Sequence, residues 1–242
     1  MNIKKDKTHL KAKEVFQILK DAEEKGFTAN FDGKTIVDEL DFEGYKFSVP
    51  VSFVKTTFER EVSFIYATFS ANAYFKGATF DDNAYFNGTK FRGDADFSLS
   101  TFDSFTGATS RYEVLFHEAT FEGDVCFIEA TFKGDVFFNY ATFKANAFFR
   151  ATFEGDVLFH EATFEGYISF NCARFDGYAD FNNAMFDGYA DFNGATFSGY
   201  ADFRYATFAD KVYFNNTIFE RKVFFTPENK KLKELIEEAQ NV

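Results

Sequence analysis

The 242-residue chain has no tryptophan, two cysteines, two methionines and three histidines. Two cysteines, Cys126 and Cys172, are too few for a disulfide framework. Basic residues are in deficit, 26 Lys+Arg against 38 Asp+Glu, for a net charge of −12. A broad basic face for nucleic acid or an anionic membrane is therefore not expected. No apolar run is long enough to span a bilayer. The start, MNIKKDKTHL, has charge but no apolar signal core, so a cytoplasmic location is expected.

What the chain has instead is phenylalanine, 40 residues of it. From Phe42 they recur at alternating steps of five and six: Phe47, Phe53, Phe58, Phe64, Phe69, and so on to Phe225. Two residues before nearly every one stands a small or β-branched residue, usually Ala or Val. Such a period marks units that must stack to bury an apolar side. Residues 8–25 read as a helix, with Leu10, Val15, Phe16 and Leu19 at helical spacing and Gly26 as its stop. Residues 227–241 read as another, capped by Thr226, with Pro227 in its first turn. The division expected is 1–26, 27–225 and 226–242.

The unit is eleven residues, as in Ala195-Thr196-Phe197-Ser198-Gly199-Tyr200-Ala201-Asp202-Phe203-Arg204-Tyr205. A right-handed coiled coil shares that period. At 100° per residue, steps of five and six scatter Phe around a helix instead of lining one seam. In an extended chain Ala and Phe two apart share a face, so short strands with a turn after each Phe are expected. The runs Ala29-Asn30-Phe31, Ala179-Asp180-Phe181, Ala190-Asp191-Phe192 and Ala201-Asp202-Phe203 resemble the signature of pentapeptide-repeat proteins. That resemblance covers about 29–225. It implies an all-β solenoid, a right-handed quadrilateral β-helix, here with short terminal helices and 22 residues per coil. On this reading 35 positions from Phe42 to Phe225 point inward, and only Ser110 is not Phe. Phe102 to Phe105 and Phe149 to Phe153 read as pinched corners, with no projecting loop anywhere.

Chemistry is sparse. His117 and His160 fall in one column two coils apart, too far to share a metal, with Asn139 between them. Cys126 and Cys172 read as unpaired thiols. The corner aspartates Asp176, Asp180, Asp187 and Asp191 lack a tandem calcium signature. Rows of Thr120, Thr142, Thr163 and of Thr131, Thr152 suit strands and do not form an ice-binding array. No catalytic group, cofactor or metal is expected, and a Phe-filled core leaves no evident pocket.

Three surface features carry expectations. Leu115, Phe137 and Leu158 should face outward on three successive coils, edged by His117, Asn139 and His160. Tyr74, Asp96, Asp180 and Asp202 should continue their column. Residues 154–210 hold ten acidic and two basic residues, and Tyr167, Tyr178, Tyr189 and Tyr200 should edge this acidic face together with Asp180 and Asp202. The C-terminal stripe Leu232, Leu235 and Ile236 should cover the solenoid end or pair two copies. The function expected is a non-enzymatic, rigid protein-interaction scaffold. The resemblance adds an alternative, since the family includes quinolone-resistance members that mimic DNA and bind DNA gyrase.

Overall fold

In the computed structural model, residues 8–103, 113–227 and 230–240 are described. Almost every rung is built alike. Ala73 and Phe75 point inward and are fully buried, while Tyr74 between them points out. The strands are two or three residues long and pair in parallel with the strand one coil on, as Ala73 does with Ala95 and Tyr74 with Asp96. Four sheets result, called faces one to four in the order the coils visit them from Ala29 onward. Face one runs from Ala29–Asn30 to Val212–Tyr213 in nine strands, and face two from His9–Leu10 to Ile218–Phe219 in ten. Face three runs from Leu40–Asp41 to Val223–Phe225 in nine, and face four from Lys46–Phe47 to Thr207–Phe208 in eight.

Inside, each face stacks its phenylalanines. The rings of Phe47 and Phe69 lie 4.3 Å apart and within 1° of parallel. Those of Phe75 and Phe97 lie 4.7 Å apart at 0°. Rings from opposite faces meet edge to face, as Phe75 meets Phe86 at 5.9 Å and 90°. Both arrangements suit the aromatic quadrupole, so one residue type fills the whole cross-section. Where Thr replaces Ala at an inward position, its hydroxyl is satisfied: Thr56 and Thr89 donate to the carbonyls of Phe31 and Phe64, each at 2.7 Å.

The two link lengths make two kinds of corner. In a five-residue link the second residue after Phe takes a left-handed conformation, as at Gly77, Lys55, Tyr66 and Glu129. The N–H after it closes the turn onto the Phe carbonyl, as Ala67 does to Phe64 at 2.9 Å. In the six-residue links successive coils touch backbone to backbone. A Cβ on Gly199 would lie 1.9 Å from the Gly177 carbonyl oxygen.

The ladder departs from expectation in one place. Phe86 stacks on Phe116, and Phe102 stacks on Phe132. The chain therefore passes from Phe102 on face two directly to Phe116 on face three, in fourteen steps where Phe80 to Phe86 takes six. The link is an insertion of eight residues and not a pinched corner. Phe105 and Ser110, expected inward, lie outside the described residues. The other slip is a true shortening: Phe127 stacks on Phe149 but Phe132 on Phe153, one residue fewer.

Helices close both ends. Helix α1 spans Ala12–Lys25. It starts later than expected because His9–Leu10 pairs with Thr35–Ile36 as the first strand of face two. The Lys11 N–H donates to the Glu14 carboxylate at 2.9 Å and that of Ala12 to Asp38 at 3.1 Å, which satisfies free donors of the first turn. Gly26, at φ 69°, ends the helix as the sequence indicates. Val15, Leu19 and Ala22 are buried, and the Phe16 ring lies 5.2 Å from that of Phe42. Helix α2 spans Lys230–Gln240. The Thr226 hydroxyl accepts the Tyr205 N–H at 2.6 Å and so ties down the last coil. The helix expected from 227 is present from Lys230; Pro227 stands in a turn, and 228 and 229 lie outside the described residues. Leu232 and Ile236 are buried and Leu235 packs partly on the core.

Candidate interaction surface

With the interior filled, function falls to the outward positions. On face three Leu115 pairs with Phe137, and Phe137 with Leu158. All three are half-buried and point away from the core, between buried Val and Phe neighbours. The eight-residue insertion changes what continues the column. Tyr85 precedes Leu115 and Ser63 precedes Tyr85, whereas Tyr74 and Asp96 stand on face one. The column therefore reads Tyr85, Leu115, Phe137, Leu158, then Asp180 and Asp202. An apolar run four coils long is flanked by small or acidic residues. At roughly 4.8 Å per coil it extends about 14 Å along the rod.

The expected edge of this strip is present. His117, Asn139 and His160 follow in register, and the His160 N–H donates to the Asn139 side chain at 3.3 Å. Sequence reasoning missed Tyr140, which is 45% exposed and stands between the two imidazoles. Its ring meets His117 at 5.3 Å and His160 at 6.0 Å, edge-on to both. Nε2 of His117 and of His160 each lie 3.3 Å from the following glutamate, Glu118 and Glu161. No group of three metal-ligating side chains occurs among the described residues.

The tyrosine face divides. Tyr178 and Tyr200 stand at the corner between faces two and three; Tyr167 and Tyr189 stand at the diagonal corner between faces four and one. Eleven residues are half a coil of 22, so residues at that period alternate between opposite corners. Each pair bends over its own face. The Tyr178 hydroxyl donates to Asp202 at 3.1 Å and that of Tyr167 to Asp191 at 3.2 Å. Asp202 is not an open carboxylate as expected but 1% exposed. Arg204 Nε reaches both of its oxygens at 3.0 Å. Burial pushes the Asp202 carboxyl up, but Arg204, its backbone N–H and Tyr178 outweigh that and hold it below the usual range. Asp180, one coil earlier, lacks such a partner, and burial raises it. Burial, Asp180 and Asp202 push the Tyr178 hydroxyl well above its ordinary value.

The helix stripe expected to cover the solenoid end or pair two copies packs on the last coil. Leu232 and Ile236 are 2% and 1% exposed because they close the last coil. Leu235 of the same stripe stays partly exposed. No helix among the described residues is long and apolar enough to cross a membrane.

Four parallel faces around a phenylalanine core define a four-sided β-solenoid. A family model for pentapeptide repeats matches residues 33–79, 64–109 and 148–196, together just over half of the chain. The chain belongs to the pentapeptide-repeat family. A solved structure of QnrB1, described as a plasmid-mediated fluoroquinolone resistance protein, aligns over 84% of this chain and 96% of its own. The identity is 16% and the TM-score 0.23, too low to bear on function. No curated protein matches the chain.

Proposed function

We propose that this protein is a non-enzymatic, rigid scaffold that presents face three to a protein partner. The strip of Tyr85, Leu115, Phe137 and Leu158 carries this reading. Strand formation requires no outward apolar residue, since Ser63, Asp180 and Asp202 hold the same column elsewhere. A contiguous exposed apolar run is the usual mark of a contact site. The test is proximity crosslinking in the native host with wild type and Phe137→Asp. The variant should lose a partner that wild type captures, with an unchanged melting temperature. An identical set of captured proteins overturns the reading.

The acidic charge favours a second reading, mimicry of duplex DNA toward a topoisomerase such as DNA gyrase. Glu59, Asp81 and Asp103 recur on successive coils at the corner between faces two and three. Burial first, then the charges of Asp103 and Glu59, raise the Asp81 carboxyl, which shows how closely these charges crowd. In a supercoiling assay the protein should inhibit gyrase at stoichiometric amounts. Unchanged supercoiling at large excess excludes this reading and leaves the first intact.

A further inference from the structure

Face one, opposite the strip, is not flat. Its outward column runs Tyr74, Asp96, Cys126, Phe148, Ser169, Asp191. Small side chains between Tyr74 and Phe148 leave a hollow of about 650 Å³. A second of about 250 Å³ continues it beyond Phe148 and shares Ile128 and Phe148 with the first. The two form one trough along the rod, spanning six coils or roughly 24 Å at about 4.8 Å per coil.

The trough has two unlike walls. At the corner toward face two stand Leu99, which is 50% exposed, and Ile128. At the corner toward face four stand Asp94 and Asp124, with Asp96 on the floor. These carboxylates are held in place. Asp94 accepts the Asp124 N–H at 3.1 Å, Asp124 accepts the Asn146 N–H at 2.9 Å, and Asp96 accepts the Ser98 N–H at 2.9 Å. Each uses Oδ1, and among the described residues the second oxygen of each has no partner. No ion pair neutralises any of the three there. The larger hollow has one basic lining residue, Lys76.

We propose that this trough is a second docking site, for an extended segment of a partner protein that alternates basic and apolar side chains. Charge complementarity chooses the basic residues, which would meet the free oxygens of Asp94, Asp96 and Asp124. The apolar wall chooses the residues between them, since alternate side chains of an extended chain point to opposite sides. Length chooses a peptide over a small amine: 24 Å takes about seven residues at roughly 3.3 Å each. The site does not depend on the face-three strip.

The test is a fluorescence-anisotropy titration of the full chain with the labelled peptide Lys-Leu-Lys-Phe-Lys-Leu-Lys. Phe148→Ser and the double variant Asp94→Asn/Asp124→Asn should each weaken binding about tenfold or more, a difference of about 1.4 kcal/mol. Glu59→Gln/Asp81→Asn, at a distant acidic corner, and Phe137→Asp, on face three, should leave it within twofold. A matching peptide with Ser for Leu and Phe should bind at least tenfold more weakly. Equal losses from the distant and trough variants, or equal binding of the Ser peptide, reduce the signal to general charge attraction and overturn the proposal. Benzylamine binding as tightly as the peptide assigns a small-amine pocket and overturns it too. Melting temperatures of all variants separate unfolding from lost contacts. Loss of the peptide with an intact face-three partner, or the reverse, distinguishes this failure from that of the scaffold reading.

Discussion

The ring of Phe86 stacks on that of Phe116 at 4.7 Å and 5° from parallel, although thirty residues separate them. One coil earlier the same stack spans 22, from Phe64 to Phe86 at 5.0 Å. The core therefore continues unbroken from one side of the insertion to the other. Loop-closure entropy grows slowly with length, by about 0.6 kcal/mol per doubling. Deleting eight of the nine residues 104–112 should restore a six-residue link and shift stability by less than about 1 kcal/mol. A denaturant titration of the shortened chain checks this. Loss of the cooperative transition would show that the segment supports the core.

Phe138 lies among six rings, with Phe143 at 6.0 Å and Phe132 at 6.5 Å. Phe116 and Phe159 stack on it at 4.7 and 4.9 Å, and Phe127 and Phe149 meet it edge-on at 5.7 and 5.3 Å. Neighbours held on both sides cannot collapse inward. Phe138→Ala should cost about 3–5 kcal/mol. A loss below about 1 kcal/mol would mean the coils can slide to fill the space.

These relationships differ in how far the sequence discloses them. Phe at fixed steps with Ala or Val two before gives the face of every residue between, so Leu115, Phe137 and Leu158 can be placed without coordinates. All three lie on one side of the insertion, and their mutual register is safe. Tyr85 cannot be placed, because Phe105 three residues after Phe102 imitates a rung and shifts the count. The four corner tyrosines look like one set because the eleven-residue period hides that a coil is twice as long. The trough on face one gives no local signal. Its walls come from two corners, and its depth comes from small residues at Asp96, Cys126 and Ser169. Tyr140 is hidden for a related reason: its left-handed corner position turns its ring between residues two coils apart.

Lys55 sits in a corner column between Gly33 and Gly77, and all three are left-handed, at φ 55°, 64° and 64°. Only glycine takes that conformation without Cβ crowding, which costs other residues about 1 kcal/mol. Lys55→Gly should be neutral or stabilising by up to about 1 kcal/mol despite the added freedom of the unfolded chain. Lys55→Val, β-branched in the same place, should destabilise by more than about 1 kcal/mol. Urea midpoints of the two variants decide it; a loss for glycine as large as for valine would rule out backbone strain as the cause.

Ile236 and Leu232 lie on the exposed turn of the last coil, and face four ends one strand short of the others. Removing their cover would bare Phe208 and Phe219, which are only partly buried even with it. Ile236→Asp should leave the solenoid folded by circular dichroism but drive self-association through the opened strand edges. Light scattering should show larger species that grow with concentration. A variant that stays the size of wild type would mean the coil end needs no cover.

Asp180 and Asp202 are paired neighbours on face three with opposite titration behaviour. Burial raises the Asp180 carboxyl, with help from the Asp202 charge. Its ionised form is therefore disfavoured in the folded chain, and a stability cost appears as pH rises through the unfolded value of about 3.9 and the higher folded one. Asp180→Asn should raise the urea midpoint at pH 7 and leave it unchanged at pH 3. Burial also acts against Asp202, but Arg204 and Tyr178 hold it below the usual range. Its ion contributes stability that is complete above about 3.9 and is lost as pH falls through the lower folded value. Asp202→Asn should lower the midpoint at pH 7, and Arg204→Met should do the same by leaving a buried carboxylate without its cation. Because each charge feels the other, the Asp180→Asn gain should shrink when Asp202 is already neutral. Equal effects of Asp180→Asn in both backgrounds would show that burial alone sets its titration and that the two carboxylates act independently.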